Sequence, residues 1–150
     1  EKPYSRVKFS NIKFSADGKN TCVLQTLIEL EEARGGSRTM ENFVSNLDYS
    51  PENGTLLDID ERGIVNFFQE QGFDSEVLSN IKNVDNIQHI SNRGQNIVLT
   101  LQETDVVWHM TNIKQINYYQ GYIKIFGRGQ SYIFQNGLIK NYKPMFSLIQ

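Results

Sequence analysis

The chain has 150 residues, 39% of them apolar and 11% aromatic, enough to bury one real core and too apolar for disorder along its length. Fifteen basic against seventeen acidic residues give a formal charge of −2, which argues against binding nucleic acid through bulk charge while leaving room for a local basic strip. A single cysteine, Cys22, with only His89 and His109 beside it, rules out an intrachain disulfide and leaves no expectation of a metal or other cofactor.

In chain order, residues 1–19 are polar and open on Glu1-Lys2-Pro3-Tyr4, without the basic-then-apolar pattern of a signal peptide. The short alternation Val7, Phe9, Ile12, Phe14 reads as an extended lead-in that ends at the turn Asp17-Gly18. The period then changes: Val23, Leu24, Leu27, Ile28 and Leu30 recur at helical spacing, with Glu29, Glu31 and Glu32 on the opposite side and Gly35-Gly36 as the stop. Cys22 falls in the opening turn of this first helix. A second, short helix is expected from Thr39 as N-cap through Phe43, Val44 and Leu47, ending before Ser50-Pro51. A third is introduced by Asp58-Ile59-Asp60-Glu61, carries Ile64, Phe67 and Phe68, and closes at Gln71-Gly72.

The second half reads as strands: Ile97-Val98-Leu99, Val106 to Ile116, Tyr122 to Phe126, Tyr132 to Phe134 and Leu138 onward. Turns fall at Asn92-Arg93-Gly94, Gln120-Gly121 and Asn136-Gly137, and such short connections imply a mostly antiparallel sheet. No apolar run is long enough to span a membrane; Val106-Val107-Trp108 is typical. One α+β domain over residues 1–150 is expected, its N-terminal helices packed on a C-terminal sheet.

Cys22 at a helix N-terminus is the first chemical candidate. Free first-turn N–H groups and the helix dipole stabilise thiolate over thiol, and the same donors suit a developing oxyanion. A thiolate nucleophile needs a rigid base. His109 sits mid-strand next to Trp108, whereas His89 lies in the polar run Asn86-Ile87-Gln88-His89 and reads as a surface or packing residue. Cys22 and His109 are therefore expected within hydrogen-bond reach. Asn20 is either the helix cap or a side-chain amide for the oxyanion, and Thr21 lies beside it.

Basic residues Arg93, Lys114, Lys124, Arg128, Lys140 and Lys143 interleave with Tyr118, Tyr119, Tyr122, Tyr132 and Tyr142. Bases stacked on tyrosine with lysine or arginine on phosphate is one reading; strand-forming aromatics with lysines on the wet face is the other. Gly127-Arg128-Gly129-Gln130 is too short for a phosphate loop and precedes no expected helix.

Asn20-Thr21-Cys22-Val23-Leu24-Gln25-Thr26-Leu27, followed by Glu32-Ala33-Arg34-Gly35-Gly36, resembles the nucleophile helix of bacterial papain-fold toxin domains. His109-Met110-Thr111-Asn112-Ile113, then Gly121 to Phe126, then Arg128-Gly129-Gln130, resembles that family's histidine strand, turn, hydrophobic strand and Asp-Gly-Gln ending. The resemblance spans roughly residues 20 to 135, and its weight lies in the order of short motifs. It implies a papain-like fold and a cysteine-dependent amide hydrolase, a protein glutamine deamidase or a peptidase, with Cys22 as nucleophile and His109 as base. Where the family has an aspartate this chain has Gly127 or Arg128, so Gln130 becomes the candidate third member. Asn112 is a weaker one, because it points away from the face of His109.

Trp108 and Arg128 are then candidate substrate contacts. The resemblance further implies a toxin module of a larger protein, secreted or delivered from a bacterium to act in the target-cell cytoplasm. Its partners would be a protein substrate and a cognate immunity protein. Two alternatives stand beside it: an RNase toxin on the same scaffold using His109 and Arg128, and a non-catalytic binding domain with Cys22 simply packed.

Overall fold

A computed structural model describes residues 9–15, 19–59, 63–78 and 96–149. The expected turn at Asp17-Gly18, residues Asp60 and Glu61 of the third helix's expected cap, His89 and the turn at residues 92–94 lie outside them. The described residues form an α+β structure with few helices and mostly antiparallel sheets. In order these are β1 (Phe9–Phe14), α1 (Cys22–Ala33), α2 (Met40–Val44), β2 (Tyr49–Ser50), β3 (Gly54–Ile59), α3 (Gly63–Glu70) and β4 (Ser75–Leu78). There follow β5 (Asn96–Gln102), β6 (Val107–Asn112), β7 (Gln115–Tyr119), β8 (Tyr122–Phe126), β9 (Ser131–Gln135), β10 (Leu138–Ile139) and β11 (Lys143–Ile149).

The strands make two sheets instead of the one expected. The first has seven strands in the order β2-β3-β1-β6-β5-β11-β4, and the second has four in the order β10-β9-β8-β7. All described pairings are antiparallel except β1 with β6, which meet at Lys13↔Val107 and Phe14↔Trp108. The described part of the N-terminal alternation, Phe9–Phe14, is thus an interior strand, paired with β3 on one side and β6 on the other, and Val7 lies outside the described residues. The supposed single strand from Val106 to Ile116 breaks at Ile113-Lys114, so that β6 stays in the first sheet and β7 opens the second. The first half is not purely helical either, because β2, β3 and β4 interleave with its helices.

Two cores follow from the period-2 alternation of the first sheet. On one face Ile12, Phe14, Val98, Trp108 and Met110 pack against Val23, Leu24, Leu27 and Leu30 of α1 and against Phe43, Ile64 and Phe68. On the other, Leu99, Leu101, Phe146 and Leu148 meet Ile123, Ile125, Tyr132 and Phe134 of the second sheet. Each fully buried leucine or phenylalanine contributes about 1.5 to 3 kcal/mol, so both faces are firmly held.

The helix ends match their chemistry. Gly35, at φ 76°, closes α1 as its own N–H reaches Glu32 O and that of Gly36 reaches Glu31 O, the paired bonds of a Schellman stop. Thr39 caps α2 reciprocally with Asn42, and α2 ends at Val44, short of the Leu47 expected. Asn136-Gly137, both at positive φ, make the tight β9–β10 turn. No helix among the described residues is long and apolar enough to cross a membrane.

Candidate functional site

Cys22 is the first residue of α1, and its side chain is 1% exposed within the helix-side core. Thr21 is the N-cap by position, but its hydroxyl makes no capping bond and accepts instead from the Gln25 amide. Asn20 is not the cap. It sits at φ 57° and its amide nitrogen donates to the carbonyls of Pro51 (2.8 Å) and Glu52 (3.2 Å), tying the start of α1 to the β2–β3 turn.

His109 is 7% exposed in the middle of β6. Its neighbours Trp108 and Met110 belong to the core under α1, so alternation turns the imidazole to the opposite face. There it pairs across with Leu101, in the core between the sheets. Cys22 and His109 consequently lie on opposite faces of the seven-stranded sheet, and the structure does not bring them together. The face toward Cys22 is taken by Trp108, whose ring is buried 6.2 Å from that of Phe14 and offers no exposed surface to a substrate.

Gln130 is exposed in the β8–β9 turn. Its carbonyl oxygens are occupied locally, the backbone one accepting from Gly127 N (2.8 Å) and the side-chain one from the Tyr132 hydroxyl (3.2 Å). Gln130 also lines a groove of about 520 Å³ with Tyr132, Ile133 and Leu138, and neither Cys22 nor His109 lines that groove.

Arg128 has the densest set of partners of any of these residues. Its Nη2 donates to Cys22 O (3.0 Å), Met110 O (3.1 Å) and Thr26 Oγ1 (3.4 Å), while Nη1 donates to Asn112 Oδ1 (3.0 Å) and Glu29 Oε1 (3.4 Å). Its backbone N–H donates to Thr111 Oγ1 at 2.7 Å. Gly127 makes this approach possible, since a Cβ there would come within 2.8 Å of the Thr111 side chain. Lys114 joins the cluster through Glu29 at 2.6 Å, and Asn112 donates to Thr26 O. A guanidinium so engaged with carbonyls and a carboxylate is a tie between the second sheet and α1, not a waiting phosphate contact.

Glu31 is the feature that sequence reasoning turned the wrong way. It is 3% exposed, facing inward, and accepts from the Arg38 guanidinium (2.9 and 3.2 Å) and backbone N–H (3.0 Å), with Arg34 at 2.7 Å. The Arg38 side-chain bond, aided by its backbone N–H and the two positive charges and opposed by burial, holds the carboxyl down at about 2. Arg34 and Arg38 lie over the Phe73 ring, and Arg34 reaches Gly72 O. The cluster locks the end of α1 to the end of α3. The sequence cue was the run of arginines at Arg34 and Arg38, which a buried acid needs nearby.

The second sheet leaves its outer face open. Tyr122, Lys124 and Phe126 alternate with the buried Ile123 and Ile125, and Tyr119, Asn117 and Gln115 stand opposite them in register. The Tyr119 and Tyr122 rings are stacked at 5.0 Å and 18°. No protein-family model matches the chain, and no curated protein matches it.

Proposed function

We propose that this chain is a binding module on a papain-like layout, in which the helix that would carry the nucleophile serves as a structural element. One observation carries the reading: the seven-stranded sheet stands between the buried Cys22 side chain and the imidazole of His109. A thiol–imidazole pair acts only at hydrogen-bond distance, directly or through one water. The order of a cysteine-first helix, a histidine strand and a hydrophobic hairpin supports the papain-like layout. Arg128, near where that family has its aspartate, has its guanidinium bonded to Cys22 O, Met110 O and Asn112, which supports the structural use of this corner. In this proposal the module belongs to a larger secreted bacterial protein, as the family resemblance implies, and its work is to hold a partner on its surface.

The cysteine-dependent amide hydrolase is the second reading, favoured by the position of Cys22 at the first residue of α1. Its nucleophile and base would have to meet around or through the sheet. Thiol alkylation of the native chain between about pH 6 and 9, beside the unfolded chain, separates the two. The binding module predicts a native thiol protected until unfolding. Fast native alkylation near neutral pH that is lost in His109→Ala would overturn it in favour of the hydrolase.

A further inference from the structure

The distribution of charge along the chain bears on what such a module holds. All seventeen acidic residues lie within residues 1–105, and residues 106–150 contain none, while carrying Lys114, Lys124, Arg128, Lys140 and Lys143. The near-neutral total therefore conceals a chain whose second sheet presents no negative side chain to a ligand.

We propose that the outer face of the four-stranded sheet, with the stacked Tyr119–Tyr122 pair at the tip of its β7–β8 hairpin, binds single-stranded nucleic acid. This rests on the binding-module reading and names its ligand. Tyr119 is 46% exposed, and the pair offers a flat platform on which a base continues the stack. In the adjacent rows Asn117 stands opposite Lys124, and Gln115 opposite Phe126, with the Lys124 ammonium 5.2 Å from the Phe126 ring centre. Each row thus combines a ring or an ammonium with an amide; Gln115 Nε2 donates one hydrogen to Asn117 Oδ1 (2.7 Å), which leaves the Asn117 amide nitrogen and the Gln115 carbonyl oxygen to donate to and accept from base edges. An acidic protein would use the positive charge but has no need of flat rings and amides in register, so the nucleic acid accounts for more of the face.

The proposal is tested with a labelled single-stranded oligouridine RNA of about 12 nucleotides, within the site sizes of single-strand binders, titrated with the whole chain and followed by fluorescence anisotropy. Saturable binding is expected at low salt. Tyr119→Ala and Tyr122→Ala should each weaken it roughly tenfold, and Tyr119→Phe should retain it. Lys124→Gln should lower the salt slope by about 0.7. The side chains point outward, and circular dichroism checks that each variant is folded. Absence of saturable binding at low salt overturns the proposal. So does binding that the tyrosine variants leave unchanged, or equal competition by polyglutamate, which would assign the face to acidic proteins or to bulk charge. The titration reads this face alone, whereas the Cys22 alkylation reads the other side of the molecule, so failure of one is distinguishable from failure of the other.

Discussion

Arg128 donates to the carbonyl oxygen of Met110 at the point along β6 where β1 has stopped. The parallel ladder between these strands runs through Lys13 N to Val106 O and Ser15 N to Trp108 O. Met110 O, two residues on, is the next acceptor of that ladder, and Arg128 bonds to it. The same guanidinium reaches Cys22 O, so one side chain closes the sheet edge and fastens α1 to it.

Replacing Arg128 therefore tests the tie directly. Arg128→Ala would take a donor from Met110 O and Asn112 and leave Glu29 with Lys114 alone, a loss expected at about 2 to 4 kcal/mol for a largely buried, multiply bonded cation. Arg128→Lys should recover the smaller part of it, because an ammonium cannot span the same fork of acceptors. Urea unfolding of the three proteins gives both numbers. A cost below about 0.5 kcal/mol for the alanine variant would mean that these bonds merely replace equivalent bonds to water.

Glu31 makes a prediction about pH. Its carboxyl falls from an ordinary value near 4.5 to about 2 in the folded chain, chiefly through the Arg38 guanidinium bond. A lowered folded value means that the unfolded chain takes up the proton first. The contribution is therefore complete above about pH 4.5 and drains away as pH falls toward 2. Glu31→Gln should be destabilised by about 1 to 3 kcal/mol near neutrality, discounted because both arginines are partly exposed. The comparison to make is unfolding midpoint against pH for the two proteins. Their curves should converge below pH 4.5, and parallel curves down to pH 2 would contradict the assigned role.

What could be read in the sequence was the local part. Val23, Leu24, Leu27 and Leu30 gave α1, Thr39 gave the cap of α2, and Asn136-Gly137 gave a tight turn, because each rests on residues a few positions apart. The pairing of β1 with both β3 and β6 was not legible, since a six-residue alternation says nothing about its partners. The site shows the same division. A cysteine opening a helix and a histidine in a strand were both found where expected, yet whether they meet depends on which face of β6 turns toward α1. A single-residue phase decides that: Trp108 and Met110 are the larger apolar pair, and they take the face under the helix.

Gly54 carries the last prediction, because it separates backbone strain from collision. It opens β3 at φ 70°, and a Cβ there would run into the carbonyl oxygen of Phe14 on the paired strand β1. Gly35, which ends α1 at φ 76°, has open space where its Cβ would stand. Both alanine variants incur the left-handed penalty of about 1 kcal/mol, and Gly35→Ala should cost little more than that. Gly54→Ala must also push β3 away from the end of β1, the segment that brings Phe14 into the helix-side core and against Trp108. We expect it to cost about 3 kcal/mol or more, in line with strain at a position the surroundings cannot relax. Thermal unfolding of the pair measures the difference. Equal losses would show that the β1–β3 contact yields without cost, and that β1 is held by β6 and the helices instead.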